Sequence, residues 1–264
     1  MSANPLISRW RAGQTTYGVW CTMPNDAGAE FIAQQGVDYV CVDYQHGLID
    51  HGAGVPMIRA IEAGGSVPIV RVAWNEPHLI MQALDAGARG VVVPMVNTAE
   101  DARRAVRALK YPPHGERSYG PVRARMSQGT NDPAALAEQA CIIMIETAEG
   151  LKNVREIAAT PGVDALYIGP SDLALALGLL PNHSPPDPQF VQAIADIEAA
   201  CRANGVAPGI QCATGAISAE YTARGFNMIT IVSDVPLLTG AVREHLAAAK
   251  GSGSAGGDQP VSNY

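Results

Sequence analysis

Polar side chains that could carry out acid–base or metal chemistry lie at the ends of four apolar segments of the sequence. These segments read VCVDYQHG, IVRV, IIMIETAEG and LYIGPSDLA. In chain order, the side chains concerned are Asp43, Gln45, His46, Arg71, Glu146, Ser171 and Asp172. Because apolar segments of this kind form buried parallel strands, the residues that end them are predicted to meet at one edge of a sheet.

Glu146 and Asp172 are central to the predicted chemistry. Two carboxylates without a Cys/His cluster suit a hard divalent cation, Mg²⁺ or Mn²⁺, with Co²⁺ as an alternative. Such a cation could receive the carboxylate and keto oxygens of a 2-oxo acid and hold the negative charge of its enolate. Lys110, Lys152 and Lys250 lie outside the predicted strands, so a Schiff-base mechanism has no obvious nucleophile.

Other polar residues are predicted to assist this reaction. Arg71 lies in an apolar strand and must meet an anion there, either a carboxylate or the developing oxyanion of a substrate. His46 titrates near neutral pH and is the natural proton carrier, with Asp43 available to orient it. Further substrate contacts are predicted for Trp20, Gln45, Gly169, Pro170 and Ser171, with the backbone amides around this last segment facing a carboxylate.

Each of these residues also has a purely structural interpretation. Ser171 and Asp172 are good N-caps for the helix that follows them. Glu146 could lie in the first turn of a helix, where the helix dipole stabilises a carboxylate. His46 could be an ordinary loop histidine, and Trp20 could pack in the core rather than line a pocket. The meeting of four strand ends is therefore more informative than any one residue.

The elements that must position these side chains are eight short apolar segments alternating with helix-like segments. The predicted strands are Tyr17–Met23, Asp38–Asp43, Val67–Val72, Gly90–Val96, Cys141–Glu146, Ala165–Gly169, Ala207–Cys212 and Met228–Val232. The predicted helices include Asp26–Gln35, Pro77–Ala88, Ala99–Leu109, Pro188–Asn204 and Gly215–Ala223. Eight such units predict an α/β protein with a single-domain (β/α)8 TIM barrel over residues 1–250. A doubly wound open sheet has the same local pattern, but the Gly-rich turn of its nucleotide-binding form is missing.

The connection between the fourth and fifth predicted strands is unusually long. It contains the segment YPPHGERSYGPVRARMSQGTNDP, which carries Arg117, Arg123 and Arg125. Long loops inside compact domains are usually functional or disordered. Three interpretations stay open for this one: a solvated basic loop, a flap that binds an anionic acceptor substrate, or a contact between subunits.

Composition limits the partners and the compartment. Of 264 residues, 47% are apolar and 16% charged, and the formal net charge of −7 argues against a nucleic-acid partner. No apolar stretch of about 20 residues is present, so no membrane span is predicted. The first residues lack a signal-peptide core, and five scattered cysteines suit buried thiols in the cytoplasm. Residues 251–264 contain a G-x-G-x-x-G motif after a helix rather than a strand, which predicts a flexible C-terminal tail.

Several motifs together resemble the HpcH/HpaI family of class II pyruvate aldolases. They are DYQHG, the arginine-bearing VRV, LDAGARGVVVPMV, IET and GPSDLA, and the likeness extends to about Lys250. The resemblance implies a metal-dependent (β/α)8 barrel that exchanges its last helix between subunits and assembles as a homo-hexamer, a dimer of trimers. It also implies reversible cleavage of 4-hydroxy-2-oxo acids, such as 4-hydroxy-2-oxoheptanedioate from aromatic breakdown, to pyruvate and an aldehyde.

The resemblance also implies roles for individual residues. Glu146 and Asp172 correspond to the metal ligands, His46 to the acid–base residue, and Arg71 to the contact with the pyruvyl oxygen. Asp85, in LDAG, is similar to an acidic residue that family members present towards a neighbouring subunit's site.

The sequence departs from the family pattern at two positions. Family members often have D-G-E-H where this chain has Asp43-Tyr44-Gln45-His46, and many have Gln where this chain has Met144. These departures leave the substrate preference and the proton path open.

Two other functions stay open at this point. A CoA-thioester lyase of the malyl or citramalyl type would share the barrel and the metal chemistry, and the arginine-bearing loop could bind the CoA phosphates. The acidic net charge counts mildly against this alternative. A non-catalytic ligand-binding barrel would be consistent with the departures at Gln45 and Met144.

Overall fold

The computed structural model describes residues 4–251 of the chain. Within these residues the strands are β1 (Thr16–Cys21), β2 (Tyr39–Asp43), β3 (Val67–Arg71), β4 (Gly90–Val93), β5 (Ala140–Ile145), β6 (Ala165–Ile168), β7 (Ala207–Gln211) and β8 (Met228–Ser233). The helices are α1 (Pro5–Arg11), α2 (Asp26–Ala33), α3 (His51–Ala63), α4 (Pro77–Asp85), α5 (Ala99–Leu109), α6 (Val122–Gln128), α7 (Pro133–Leu136), α8 (Ala148–Lys152), α9 (Val154–Ala158), α10 (Pro170–Ala176), α11 (Pro188–Asn204), α12 (Gly215–Ala223) and α13 (Asp234–Ala249). The predicted tail lies outside the described residues from 252 onwards. None of the helices described is long and apolar enough to cross a bilayer.

The eight strands form a closed parallel barrel. They pair in chain order, and β8 closes the barrel by pairing with β1. At least one helix follows every strand, so the predicted (β/α)8 TIM barrel is confirmed. Nearly all strand residues are buried, because side chains on one face fill the barrel and those on the other pack against the helices.

The end of β4 differs most from the predicted strand. β4 stops at Val93 rather than Val96, because Pro94 cannot donate a ladder hydrogen bond and the backbone then turns. Met95, the next residue, has a φ of 57°, the one positive φ outside glycine in the described chain. The other strand ends lie within one or two residues of the prediction.

Two tyrosine rings lie across the interior of the barrel, and two glycines make room for them. A Cβ atom at Gly18 would lie 2.2 Å from the ring of Tyr39, and one at Gly209 would lie 2.9 Å from the ring of Tyr167. Larger residues at these glycines would push the rings out of place. The rest of the interior layer includes Trp20, Cys41, Ile69, Val92, Ile142, Met144 and Met228.

The long connection after β4 packs against the barrel through Arg117. One terminal nitrogen of Arg117 lies 2.6 Å from the carboxylate of Asp85, and the arginine side chain is only 1% exposed. The guanidinium also stacks on Tyr111, 4.8 Å from its ring centroid. Asp85 ends α4 and leads into the start of β4, so this ion pair lies at the amino-terminal end of the barrel.

Arg123 and Arg125 are also engaged within the chain. Arg123 lies 2.5 Å from the carboxylate of Glu62 and donates to the carbonyl of Ala86 at 2.8 Å. The Nε atom of Arg125 donates to the carbonyl of Pro121 at 3.1 Å. Within one chain, the arginine-bearing segment is therefore packed structure rather than a freely solvated loop.

The last helix, α13, covers little of the barrel. Its apolar side chains Leu237, Leu238, Val242 and Leu246 are each about half exposed, between 48% and 57%. An apolar cavity of about 640 Å³ remains beside α12 and β8, with Ala219 and Ile231 in its wall. Part of the barrel surface that an eighth helix covers in a closed (β/α)8 fold is therefore open in the single chain.

Candidate active site

A pocket of about 330 Å³ lies at the carboxyl ends of the strands. Many of the residues predicted from the sequence line it, namely Trp20, Asp43, His46, Arg71, Gly169, Pro170, Ser171 and Asp172. In (β/α)8 enzymes the chemistry takes place at this end of the barrel. The structure therefore brings these side chains into one cavity, while their individual roles stay predictions.

Arg71 and Asp43 form a buried, two-pronged ion pair in the pocket wall. The Nε and one terminal nitrogen of Arg71 lie 2.8 and 2.6 Å from the two carboxylate oxygens of Asp43. The register of β2 and β3 places the two residues side by side. The guanidinium also lies 4.5 Å from the ring centroid of Trp20, which stacks in turn on Tyr167 at 5.5 Å. Bidentate pairing and stacking together hold the guanidinium in one orientation.

Asp43 also fixes the loop that carries His46. Its Oδ1 atom accepts hydrogen bonds from the backbone amides of Gln45 and His46, at 3.0 and 3.3 Å. The carboxylate therefore pairs with Arg71, one of the two kinds of anion expected for this arginine, and also fixes the backbone of the loop that carries His46. The side chain of Gln45 does not line the pocket, and its buried Oε1 has no hydrogen-bond partner among residues 4–251.

The environment of His46 favours a neutral imidazole. Burial lowers the pKa of His46, and the positive charge of Arg71 lowers it further, against the opposing charges of Asp43 and Asp172. A neutral imidazole at neutral pH can accept a proton. His46 therefore has the protonation state that the predicted base requires.

Glu146 is held by a backbone turn of unusual geometry. It follows β5, is 3% exposed, and its Oε1 accepts a hydrogen bond from the Met95 amide at 2.7 Å. Met95 adopts its left-handed φ at this turn. This conformation is costly for a residue other than glycine, and it directs the Met95 amide at the carboxylate. On the other side, a Cβ at Gly169 would lie only 2.8 Å from Oε2 of Glu146. Only glycine leaves room for the carboxylate there.

Glu146 and Asp172 fit a divalent cation by their chemistry and their charge. Burial raises the pKa of Glu146 to about 6, and the negative charge of Asp172 adds to this effect, against the Met95 amide and Arg71. A bound cation would offset both the burial of the Glu146 carboxylate and its repulsion by Asp172. In the described part of the chain, no group of three or more His, Cys, Asp or Glu side chains is arranged so that all of them could hold one metal ion. The protein would therefore supply two carboxylates, as Mg²⁺ sites often do, and leave the other positions to water and substrate.

The HpcH/HpaI aldolase/citrate lyase family model matches residues 16–241, most of the barrel. The chain belongs to this family. Membership confirms the prediction of a carbon–carbon lyase.

Individual family members are similar over almost the whole chain. The hydroxypyruvate/pyruvate aldolase of Rhizorhabdus wittichii is 39% identical over 248 residues, 94% of this chain and 99% of that enzyme. The 4-hydroxy-2-oxo-heptane-1,7-dioate aldolase of Shigella flexneri is 36% identical, over 95% of this chain and 94% of that enzyme. The crystal structure of an HpcH/HpaI aldolase/citrate lyase family protein from Burkholderia cenocepacia superposes with a TM-score of 0.88 at 38% identity, covering 94% of this chain and 100% of that one.

Some pocket residues of this HpcH/HpaI family member were not predicted from the sequence. They come from β6, β7, β8, α13 and the loop before α11, and include Tyr167, Gln211, Ser233, Arg243 and His183. Gln211 and Ser233 are the last residues of β7 and β8. The expectation that polar residues at the carboxyl ends of strands line the site, which was applied to four strands, also holds for these two strands. Both side chains are neutral, so a pattern of ionisable groups at strand ends does not single them out.

Four predicted site residues of this family member lie away from its own pocket. Asp85, Arg117 and Arg123 lie at the amino-terminal end of the barrel, and Arg125 belongs to the same packed segment. Any contact of these residues with a substrate would require the site of a neighbouring subunit, so their predicted roles stay predictions.

Proposed function

We propose that the chain is a divalent-metal-dependent aldolase that cleaves 4-hydroxy-2-oxo acids reversibly to pyruvate and an aldehyde. The observation that supports this proposal is the position of the Glu146 carboxylate. It lies buried against Gly169 of the pocket wall, close enough to the pocket residues Asp172 and Arg71 for both charges to act on it. The aldolase names of the similar enzymes from Rhizorhabdus wittichii and Shigella flexneri agree with it.

In this proposal, Glu146 and Asp172 would hold the cation, Mg²⁺ or Mn²⁺. When bound, it would act as a Lewis acid towards the 2-oxo group of the substrate. Arg71 donates to the oxygen on which negative charge develops, and Asp43 keeps the guanidinium aimed at it. Ser171, 8% exposed and in the pocket wall, faces the substrate carboxylate.

His46 moves the proton. A nitrogen of its neutral imidazole accepts the hydrogen of the C4 hydroxyl while the bond between C3 and C4 breaks and the aldehyde leaves. The electrons of that bond remain on the pyruvate enolate, and His46 returns the proton to C3 to give pyruvate. The reverse sequence forms the new carbon–carbon bond, so the reaction needs no other reactant.

Chelation and hydrogen exchange test this proposal without knowledge of the natural aldehyde. Pyruvate should exchange its methyl hydrogens in D₂O when the enzyme holds Mg²⁺ or Mn²⁺, because exchange requires only enolate formation. EDTA should abolish both exchange and pyruvate release, and added Mg²⁺ or Mn²⁺ should restore them. Activity that survives exhaustive chelation would remove the metal role of Glu146 and Asp172.

The CoA-thioester lyase alternative is not supported by the position of its expected phosphate contacts. Arg117 and Arg123 form ion pairs with Asp85 and Glu62 in the same chain. These pairs lie at the opposite end of the barrel from the pocket, so within one chain the arginines do not provide a basic surface for CoA there. Tight CoA binding in calorimetry would restore this alternative.

We propose further that α13 is exchanged between subunits in a homo-hexamer. The half-exposed leucines of α13 and the open apolar cavity beside α12 and β8 both agree with an exchange. Asp85 and the arginine-bearing segment would then contact a neighbouring subunit's site. Sedimentation velocity would test the hexamer, and a monomer at micromolar concentration would contradict it.

The five buried, unpaired cysteines suit a reducing cytoplasm.

A further inference from the structure

The residue at the junction between α8 and α9 has a side-chain amide that does not cap the second helix. Asn153 stands at the N-cap position of α9, where asparagine is favoured because its side chain can accept a hydrogen bond from the first turn of the helix. No such hydrogen bond forms here. Instead, Nδ2 of Asn153 donates at 2.8 Å to the carbonyl of Asn97, 56 residues earlier in the chain. The side chain therefore acts on a distant segment rather than on α9.

The segment that Asn153 contacts is held against α8 at three points. The hydroxyl of Thr147, the N-cap of α8, donates to Oδ1 of Asn97. A Cβ atom at Gly150 would lie 2.7 Å from the carbonyl of Val96, so only glycine lets the helix approach this closely. The Asn153 amide supplies the third contact. Residues 96 and 97 are therefore fixed against α8.

The other side of this segment is fixed by α5. Oδ2 of Asp101, which belongs to the capping box of α5, accepts a hydrogen bond from the Asn97 amide at 3.2 Å. Before the segment, β4 pairs with β5 as far as Val93. Between these fixed points lie only Pro94, whose ring restricts its φ, and Met95.

Fixing both ends of this two-residue turn sets the direction of the Met95 amide. Met95 has its left-handed φ of 57°, and its amide donates to Oε1 of Glu146 at 2.7 Å. Oε1 is thereby occupied, while Oε2 lies against Gly169 of the pocket wall. Glu146 directly precedes Thr147, so the start of α8 anchors both the carboxylate and the turn that supplies its donor.

We propose that Asn153 is a positioning residue for the carboxylate of Glu146. By holding the carbonyl of Asn97, it keeps the Met95 amide directed at Oε1, and this hydrogen bond keeps Oε2 beside the pocket wall. Asn153 itself does not line the pocket. The inference rests on the proposed function, in which Glu146 is a metal ligand, and it adds a residue outside the pocket that supports the affinity for the cation.

The size of the effect follows from the position of Asn153 in this series of contacts. Without its amide, the turn gains freedom, the Met95 donor loses its fixed position, and the Glu146 carboxylate samples more orientations. Removal of a residue that supports a metal ligand typically lowers metal affinity by about 10- to 100-fold. Because Asn153 acts through the turn and two other contacts remain, we expect a loss of about 10-fold, the lower end of this range.

Calorimetric titration of Mn²⁺ into the metal-free enzyme tests this role. Asn153→Ala should bind Mn²⁺ about 10-fold more weakly than the wild type. Asn204→Ala is the matched control, because Nδ2 of Asn204 also donates to a backbone carbonyl, that of Ala200, at 2.9 Å. Asn204 ends α11, which leads into the start of β7 at the opposite end of the barrel, so its loss should leave the Mn²⁺ affinity unchanged.

A second readout separates positioning from general damage to the fold. In Asn153→Ala, the Mn²⁺ concentration that half-activates pyruvate exchange in D₂O should rise about 10-fold, whereas the rate at saturating Mn²⁺ should stay close to that of the wild type. The same turn can be tested from Thr147. Thr147→Ser keeps the hydroxyl that contacts Asn97 and should retain the Mn²⁺ affinity, whereas Thr147→Val lacks it and should bind Mn²⁺ more weakly.

The results that would overturn this inference differ in what else they overturn. If Asn153→Ala binds Mn²⁺ as tightly as the wild type, or if it loses the rate at saturating Mn²⁺ as well, Asn153 does not position Glu146 and only the present inference falls. If the wild type binds no Mn²⁺, or Glu146→Gln binds it equally well, the metal role of Glu146 falls and this inference falls with it. Weaker binding in Asn153→Ala and Thr147→Val, with affinity retained in Asn204→Ala and Thr147→Ser, supports the inference.

Discussion

Replacing Gly169 with alanine would place one methyl group against the carboxylate of Glu146. The backbone at Gly169 has φ −90° and ψ 91°, so alanine strains nothing in the main chain. The new Cβ would lie 2.8 Å from Oε2 of Glu146 and 2.9 Å from Cε of Met144. Ordinary contacts of this type begin near 3.4 Å, so the carboxylate must retreat by about 0.6 Å.

The carboxylate cannot retreat freely, because its other oxygen accepts the 2.7 Å hydrogen bond from the Met95 amide. Met95, the donor, has a φ of 57°, a conformation with few alternatives for a residue other than glycine, which limits how far its amide can follow. Weakening a hydrogen bond to a charged group costs about 1.5–3 kcal/mol, and overpacking costs about 1–3 kcal/mol. Displacement of a ligand by its surroundings typically lowers metal affinity by about 10- to 100-fold, and we expect a loss in this range.

Calorimetric titration of Mn²⁺ into the metal-free Gly169→Ala enzyme measures this loss. Gly215→Ala is the matched control, because a Cβ there meets no atom within 4 Å. Pyruvate exchange in D₂O should fall in Gly169→Ala at low Mn²⁺ and recover in part as Mn²⁺ is raised. An unchanged Mn²⁺ affinity in Gly169→Ala would refute the assignment of Glu146 as a ligand held in this position.

Three further predictions follow from the pocket and the core. Asp43→Asn should destabilise the protein by about 3–5 kcal/mol in urea unfolding, because the buried guanidinium of Arg71 loses the negative charge of its bidentate carboxylate. The double variant Asp43→Asn/Arg71→Met should lose less free energy of unfolding than the sum of the losses in the two single variants. Strictly additive losses would contradict the coupling. His46→Ala should slow pyruvate exchange by about 10²- to 10⁴-fold while Mn²⁺ binding persists, and wild-type exchange rates would remove His46 from the mechanism. Burial raises the pKa of Cys201 to about 12 and of Cys212 to about 11, so thiol reagents should label the native protein slowly and the unfolded protein fast. Rapid labelling of the native protein would contradict their burial.

The barrel could be predicted because its signal is local and repeated. Each buried strand is an apolar segment that can be recognised without knowledge of its neighbours. The end of β4 could not be located this way, since Val96 continues the apolar segment while Pro94 and Met95 turn the backbone. The packing of Arg117 could not be predicted either, because its partner Asp85 is 32 residues away in the sequence.

The site could be predicted where charge marked a strand end. Asp43, Arg71 and Glu146 are charged residues among apolar neighbours, whereas Gln211 and Ser233 are neutral and do not stand out in the sequence. Tyr39 and Tyr167 have the composition of ordinary core residues, so their hydrogen bonds could not be inferred before the strands were placed around a barrel.

The stacking of Trp20 between Arg71 and Tyr167 makes this indole an internal optical probe. Its emission depends on the cation 4.5 Å from its ring and on the solvent in the pocket that it lines. Trp10 is buried in α1, and Trp74 is 51% exposed on the surface, so both can be replaced by phenylalanine outside the pocket. The remaining fluorescence would then follow the arrival of a ligand in real time, without a label and without turnover.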